Sequence, residues 1–105
     1  MPVQADTTLA NTATDDVASW VPDAALRGAL QAALGKGTPL TKANVATITQ
    51  LNLTYDGITD LTGLEFATNL QALDLTGNNI ADITPLQNLH NLTNLSLRMN
   101  KAKIM

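Results

Sequence analysis

"LQALDLTGNNIADITPLQNLHN", residues 70–91, decides the fold because it repeats. Set above it in the same register stands "ITQLNLTYDGITDLTGLEFATN" (48–69), and below it "LTNLSLRMNKAKIM" (92–105), aligned without a gap at a spacing of 22 residues. Ile48, Leu70 and Leu92 share a column, as do Leu51, Leu73 and Leu95, and Leu53, Leu75 and Leu97. Further columns hold Asp56, Asn78 and Asn100; Ile58 and Ile80; Leu61 and Ile83; Leu64 and Leu86. Self-similarity at one fixed period marks a stacked-repeat architecture.

Elementary geometry explains the columns. Alternating Leu-x-Leu puts two side chains on one face of a short strand while the intervening residues point away. Each row is then one coil of a solenoid, its strand joining a parallel sheet, its leucines buried between turns, and its stability dependent on its neighbours. An asparagine in the turn column can use its amide donors and its carbonyl to satisfy backbone groups left unpaired inside the stack. Asp56 can only accept there, so the first coil should satisfy its turn differently. In the return half, Thr62 and Thr84 are expected to cap short helical turns, with Pro85 at the permitted first position. Asp60 and Asp82 recur just before those turns, where a backbone-capping role outweighs metal ligation or acid catalysis. Asp56-Gly57, a hairpin signal in isolation, is only the descending turn of the repeat.

Upstream, "WVPDAALRGALQAALGKG" (20–37) changes period. Leu26, Leu30, Ala33 and Leu34 form one apolar stripe, predicting a helix of about fourteen residues. Pro22 suits its first turn, Asp23 puts negative charge at its N-terminus, and Gly35 supplies a left-handed stop followed by Lys36. Thr41 can cap a second short turn through Val45. Residues 1–19 are rich in Thr, Ala, Asn and Asp without apolar periodicity, the composition of a flexible arm. The expected organisation is therefore an arm (1–19), a helical cap (20–47) and repeats (48–105), divided as 48–69, 70–91 and a partial 92–105.

Composition excludes several functions. A chain of 105 residues makes one modest domain. It has no cysteine, so no disulfide framework and no thiolate metal site. Net charge is −3, and no Lys or Arg occurs between Ala43 and Leu97, a stretch carrying five carboxylates. Such a surface repels phosphate backbones, and nucleic acid is not an expected partner. No apolar run reaches the roughly 18 residues of a membrane span, so no membrane insertion is expected. His90, the sole histidine, sits in a turn, and Ser19 and Ser96 lack the context of an activated nucleophile. Phosphate loops, EF-hand loops and zinc spacings are missing too, so neither catalysis nor a cofactor or metal is expected.

The rows match the L-x-x-L-x-L-x-x-N-x-I-x-D-I-x-P-L pattern, and the chain resembles the bacterial leucine-rich repeat proteins of the 22-residue, internalin-like class from about residue 20 to residue 100. "VPDAALRGALQAALGK" (21–36) is similar to the helical cap that shields the first coil in that family. The resemblance implies an α/β fold: a leucine-rich repeat solenoid with a short parallel β-sheet and a convex side of 3-10 turns, preceded by an α-helical N-terminal cap. It also implies a non-catalytic protein-interaction module, the N-terminal fragment of an exported Gram-positive cell-surface adhesion protein, with a host or cell-surface protein as partner. The alternatives are a structural spacer or self-assembly element and, third, the accessory repeats of an exported enzyme. Val3-Gln4-Ala5 before Asp6 has the form of a signal-peptidase site, without the charged and apolar regions that precede one; chance in an Ala-rich stretch is the other reading.

The default binding surface is the row of residues turned outward from the strands: Gln50, Asn52 and Thr54, then Ala72, Asp74 and Thr76, then Asn94, Ser96 and Arg98. Only Arg98 among them belongs to the types that dominate interface energetics. Tyr55 either contributes to that surface or packs beside the first turn, and Trp20 is expected to cover the start of the cap helix. Three sequons, at Asn52, Asn91 and Asn94, follow from leucine-rich strands with polar intervening residues. Arg98, Lys101 and Lys103 form a basic end, read as solvated.

In the last row Ala102 replaces the Ile58/Ile80 position, Ile104 falls in the Asp60/Asp82 column and Met105 in the Leu61/Ile83 column, so the register either slips or decays. With no amphipathic capping helix after it, Leu92, Leu95 and Leu97 should present one side to solvent. Apolar edges of this kind invite another chain, and a homo-dimer or higher oligomer through that coil is expected.

Overall fold

The computed structural model describes residues 17–101. Three helical segments come first: α1 (Val17–Trp20), α2 (Ala24–Leu34) and α3 (Lys42–Val45). Three coils follow, each contributing a short strand, β1 (Gln50–Asn52), β2 (Ala72–Asp74) and β3 (Asn94–Ser96), with 3-10 turns at Leu64–Phe66 and Thr84–Leu86 on the returning side. The strands form one parallel sheet in the order β1-β2-β3, pairing Leu51 with Leu73 and Leu73 with Leu95. This is the expected leucine-rich repeat solenoid behind a helical cap. Val3-Gln4-Ala5 and the register slip or decay at Ala102, Ile104 and Met105 lie outside the described residues.

The cap corrects several details. Helix α1 begins inside the stretch expected as an arm: Val17 is buried, and the Val21 N–H donates to the Val17 carbonyl at 2.7 Å. Two valines four residues apart bury one helical turn, which average composition conceals. Helix α2 has 11 residues rather than fourteen, because Asp23 takes extended backbone as its N-cap and Pro22 stays outside. Its stripe is Leu26, Leu30 and Leu34, flanked by Ala25 and Ala29, while Ala33 is exposed. Gly35 ends the helix at φ 96°, ψ 157°, a region open essentially to glycine alone but not the left-handed helical one. Thr41 caps α3 as expected, its Oγ1 accepting from the Asn44 N–H at 3.1 Å.

Asp23 does more than cap. Its Oδ1 accepts from the N–H groups of Ala25 and Leu26, while Oδ2 accepts from the Thr59 N–H at 2.8 Å, the Asp60 N–H at 3.0 Å and the Thr59 hydroxyl at 3.2 Å. One carboxylate thus rivets the cap to the first coil. Partial burial opposes its charge, but the N–H groups of Thr59, Asp60 and Leu26 prevail and hold its pKa below the ordinary value. Asp23→Ala is expected to cost about 2 kcal/mol in urea unfolding. Since the folded pKa lies below the unfolded one, this stabilisation is complete above about pH 4 and is lost as pH falls through the folded value. The variant should therefore show a flatter acid limb than the parent.

Beside this rivet, Trp20 meets Phe66 of the first 3-10 turn edge to face, ring centroids 5.4 Å apart, with the Lys42 ammonium 4.6 Å from the Phe66 centroid. Trp20 covers the junction with the first coil.

One continuous core runs from Val17 through both leucine columns to Leu89. Along the column paired across the sheet, exposure is 5% at Leu51 and 2% at Leu73 but 42% at Leu95, so the third coil does present its apolar side to solvent.

Two asparagine ladders tie the coils. The buried Asn78 donates to the carbonyls of Leu53 (2.8 Å) and Leu75 (2.9 Å) and accepts from the N–H groups of Asp56 (3.0 Å) and Ile58 (2.9 Å). Asn100 repeats the pattern one coil on, donating to Leu75 and Leu97 and accepting from Ile80. Each amide reaches back to the preceding coil. Asp56 has no coil behind it to serve, which is why an exposed acid stands in that column. The second ladder, unread in the sequence, is Asn69 to the Ala46 carbonyl (2.8 Å) and Asn91 to the Thr68 carbonyl (3.0 Å). Its signal was available, since Asn69 and Asn91 close both full rows.

Asp60 and Asp82 cap as expected, but their partners correct the role given to the threonines. Asp60 Oδ1 accepts from the Thr62 N–H and hydroxyl, and Asp82 Oδ1 from those of Thr84. Neither threonine caps a 3-10 turn; those turns follow Gly63 and Ile83, and Pro85 takes the second position of its turn.

Candidate interaction face

Parallel pairing in register brings the outward residues into transverse rows: Gln50, Ala72 and Asn94, then Asn52, Asp74 and Ser96. Together with the adjoining backbone they line a shallow open trough of about 550 Å³ on the sheet face. Gln50, Asn52, Asn94 and Arg98 are exposed, whereas Thr54, Ala72, Asp74, Thr76 and Ser96 are half-buried.

The central polar groups are mutually oriented. Asp74 Oδ1 accepts from the Thr76 hydroxyl at 2.6 Å and its N–H at 3.0 Å, and the Thr76 and Ser96 hydroxyls lie 2.8 Å apart. The Thr76 hydroxyl, then its N–H, and further the Arg98 charge hold the Asp74 carboxyl below the usual range. In the first coil Asn52 Oδ1 accepts from the Thr54 N–H at 3.2 Å, the same turn on a neutral side chain. The face thus offers ordered acceptors and hydroxyls, with a guanidinium at one corner. Such groups orient a partner, whereas large apolar or aromatic anchors supply most binding energy.

Anchors of that kind stand at the margin of the face. Tyr55 is 66% exposed and does not pack beside its own turn: its ring lies over Gly77 of the second coil, where an added Cβ would fall 2.3 Å from a ring carbon. Its hydroxyl contacts Met99 Sδ of the third coil at 3.4 Å. Tyr55, Gly77 and Met99 form one more column, with φ of 54°, 79° and 58°. The sequence reading missed Met99, although the spacing that defines the other columns also selects this one.

His90 is exposed in its turn, and among the described residues no cluster of His, Asp or Glu could hold a metal ion. Nor is any described helix long and apolar enough to cross a membrane. Of the sequon asparagines, Asn91 spends its amide on the second ladder.

A capped stack of 22-residue coils with leucine columns, an asparagine ladder and an open parallel sheet defines a leucine-rich repeat protein. Residues 68–104 match the family described as Leucine Rich repeats (2 copies). Among solved structures, the chain is similar to an internalin (inlF) of Listeria monocytogenes at 36% identity and a TM-score of 0.78, covering 85% of this chain and 27% of that one. It is similar to internalin C2 (inlC2) of the same organism at 38% identity and a TM-score of 0.70, over 75% of this chain and 36% of that one. The functional domain of InlJ from Listeria monocytogenes, described as including a cysteine ladder, matches at 33% identity and a TM-score of 0.73, over 84% of this chain and 20% of that one. No curated protein matches the chain in sequence. The chain is an internalin-like leucine-rich repeat protein. It spans 27% and 36% of the first two relatives.

Proposed function

We propose that the chain is the non-catalytic, N-terminal recognition part of an exported bacterial surface protein, and that its sheet face engages a protein on a host or neighbouring cell in adhesion. The observation that carries this reading is the open face itself. Its polar groups are fixed by the Asp74–Thr76–Ser96 network before any partner arrives, and preorganisation reduces the cost of binding. The likeness to Listeria internalins supports export and surface location.

The test is saturable binding of the fluorescently labelled chain to intact host cells. Asn52→Glu and Asn94→Glu, which place negative charge and bulk in the trough without touching the core, are expected to weaken binding about ten-fold or more. Gln87→Glu on the returning side should leave it unchanged. Equal binding by all three variants would count against the sheet face.

The exposed Leu95, with half-buried Leu92 and Leu97, favours a second reading, self-assembly. It takes this coil's apolar side as a stacking surface for another leucine-rich coil. Light scattering over a wide concentration range should then show reversible dimers that Leu95→Lys abolishes; a strictly monomeric parent would remove the reading.

A further inference from the structure

Resting on the reading of the chain as a protein-interaction module, we infer that the anchor of its interface is the ridge formed by Tyr55 and Met99 across Gly77, and that it takes an extended acidic segment of a partner, with a carboxylate on Arg98 and an apolar side chain on the ridge.

Three observations converge on the ridge. Tyr55 and Met99 are two of the three large hydrophobic residues exposed among the described residues. They are also the only non-glycine residues there with positive φ, a conformation unfavourable for bulky side chains and concentrated at functional positions. Tyr55 is already in place for a partner, since its ring occupies the Cβ space of Gly77 and its hydroxyl reaches Met99 Sδ. A flat, ordered aromatic surface beside a thioether offers contact area with little ordering cost, and Tyr, Met and Arg are the types enriched at interface centres.

Charge selects the occupant. Between Ala43 and Lys101 the cations are Arg98 and Lys101, and they flank Met99 in sequence. Arg98 is exposed, and its backbone carbonyl accepts from the Gly77 N–H at 2.9 Å, which places it next to the ridge. Asp74 feels the same guanidinium electrostatically from the trough side, and the forked donors of a guanidinium match a carboxylate. Backbone–backbone bonds from Tyr55 to Thr76 and from Gly77 to Arg98 make the row continuous across all three coils, so a segment laid along it crosses the strands.

Tyr55 is the sole tyrosine, so its ring resonances report on the ridge alone. The experiment is NMR of the chain, with methyl-labelled methionine, titrated with the blocked hexapeptide Pro-Leu-Glu-Glu-Leu-Pro and with its Gln and Lys counterparts. Saturable shifts of the Tyr55 ring and Met99 methyl are expected with the Glu peptide, and binding about ten-fold weaker with the Gln form or with Tyr55→Ala, Met99→Ala or Arg98→Gln. Gly77→Ala, which displaces the ring without removing it, should weaken binding in the same way. Shifts confined to Asn52, Asp74 and Asn94 would overturn the ridge while leaving a protein-binding sheet face intact. Equal binding of the Glu and Lys peptides would overturn the acidic partner. No shift anywhere would overturn the inference, and the cell-binding experiment would judge the broader reading separately.

Discussion

Asn78→Ala is expected to lower stability by about 3–5 kcal/mol in urea unfolding, a large part of the roughly 5–15 kcal/mol available to a small domain. The substitution removes a 5%-exposed side chain that serves four backbone groups at 3.0 Å or less, three on the first coil (Leu53, Asp56 and Ile58) and one on its own (Leu75). The Ile58 N–H and the Leu53 and Leu75 carbonyls would remain without that partner where water does not easily enter, and each such group costs about 1–3 kcal/mol. Asn78→Asp should be nearly as damaging, because a carboxylate cannot donate to those carbonyls and its charge would be buried. Asn100→Ala removes the same pattern from a half-buried site and should cost about half as much. Asp56→Asn, in the same column but exposed, should change stability by no more than about 0.5 kcal/mol. Equal losses at positions 56, 78 and 100 would contradict the backward-reaching ladder.

The second large effect is expected at the junction of cap and coils. Gly63→Ala should cost about 3 kcal/mol or more. Gly63 has φ of 109°, and a Cβ there would lie 2.6 Å from Val21 Cγ2 and 2.8 Å from the Trp20 carbonyl oxygen. The methyl contact can be relieved by a rotation of the Val21 side chain; the carbonyl belongs to the last residue of α1 and moves only if the cap does. Gly28 is the internal control: it sits inside α2 with nothing within 4 Å of its added Cβ. Gly28→Ala should therefore raise stability by about 0.5–1 kcal/mol, since alanine loses less backbone freedom in a helix. Thermal unfolding of the pair separates a loss of close packing from a general effect of removing glycine.

Both expectations follow from how stability is distributed in a stacked repeat. No coil can bury its leucines alone, so the groups that couple neighbours matter more than those that shape a single coil. Asn78 couples the first coil to the second; Gly63, Asp23 and the Trp20–Phe66 contact couple the cap to the first. Loss of the cap contacts would leave the first coil's apolar side open, as the third coil's is at Leu95.

The 22-residue period was enough to place the strands, the leucines that face inward, the residues that face out, the parallel order of the sheet and the asparagine in its turn. Each is a relation between a residue and its own repeat or the next one, and an aligned column records such relations directly. The non-repeating contacts left no such trace. Asp23 reads as a helix-start acid, and only the folded chain brings its second oxygen to Thr59 and Asp60. Gly63 and Pro85 share a column, yet Gly63 is required because Trp20 and Val21 pass over it. The ladder's direction, and with it the freedom of Asp56, depends on which coil lies behind. Tyr55 and Met99 were visible one spacing either side of Gly77, but that an exposed ring would lie across that glycine depends on backbone angles and on the space a missing Cβ leaves. Periodicity encodes what each coil does to the next; the fit between unlike surfaces is set only when they meet.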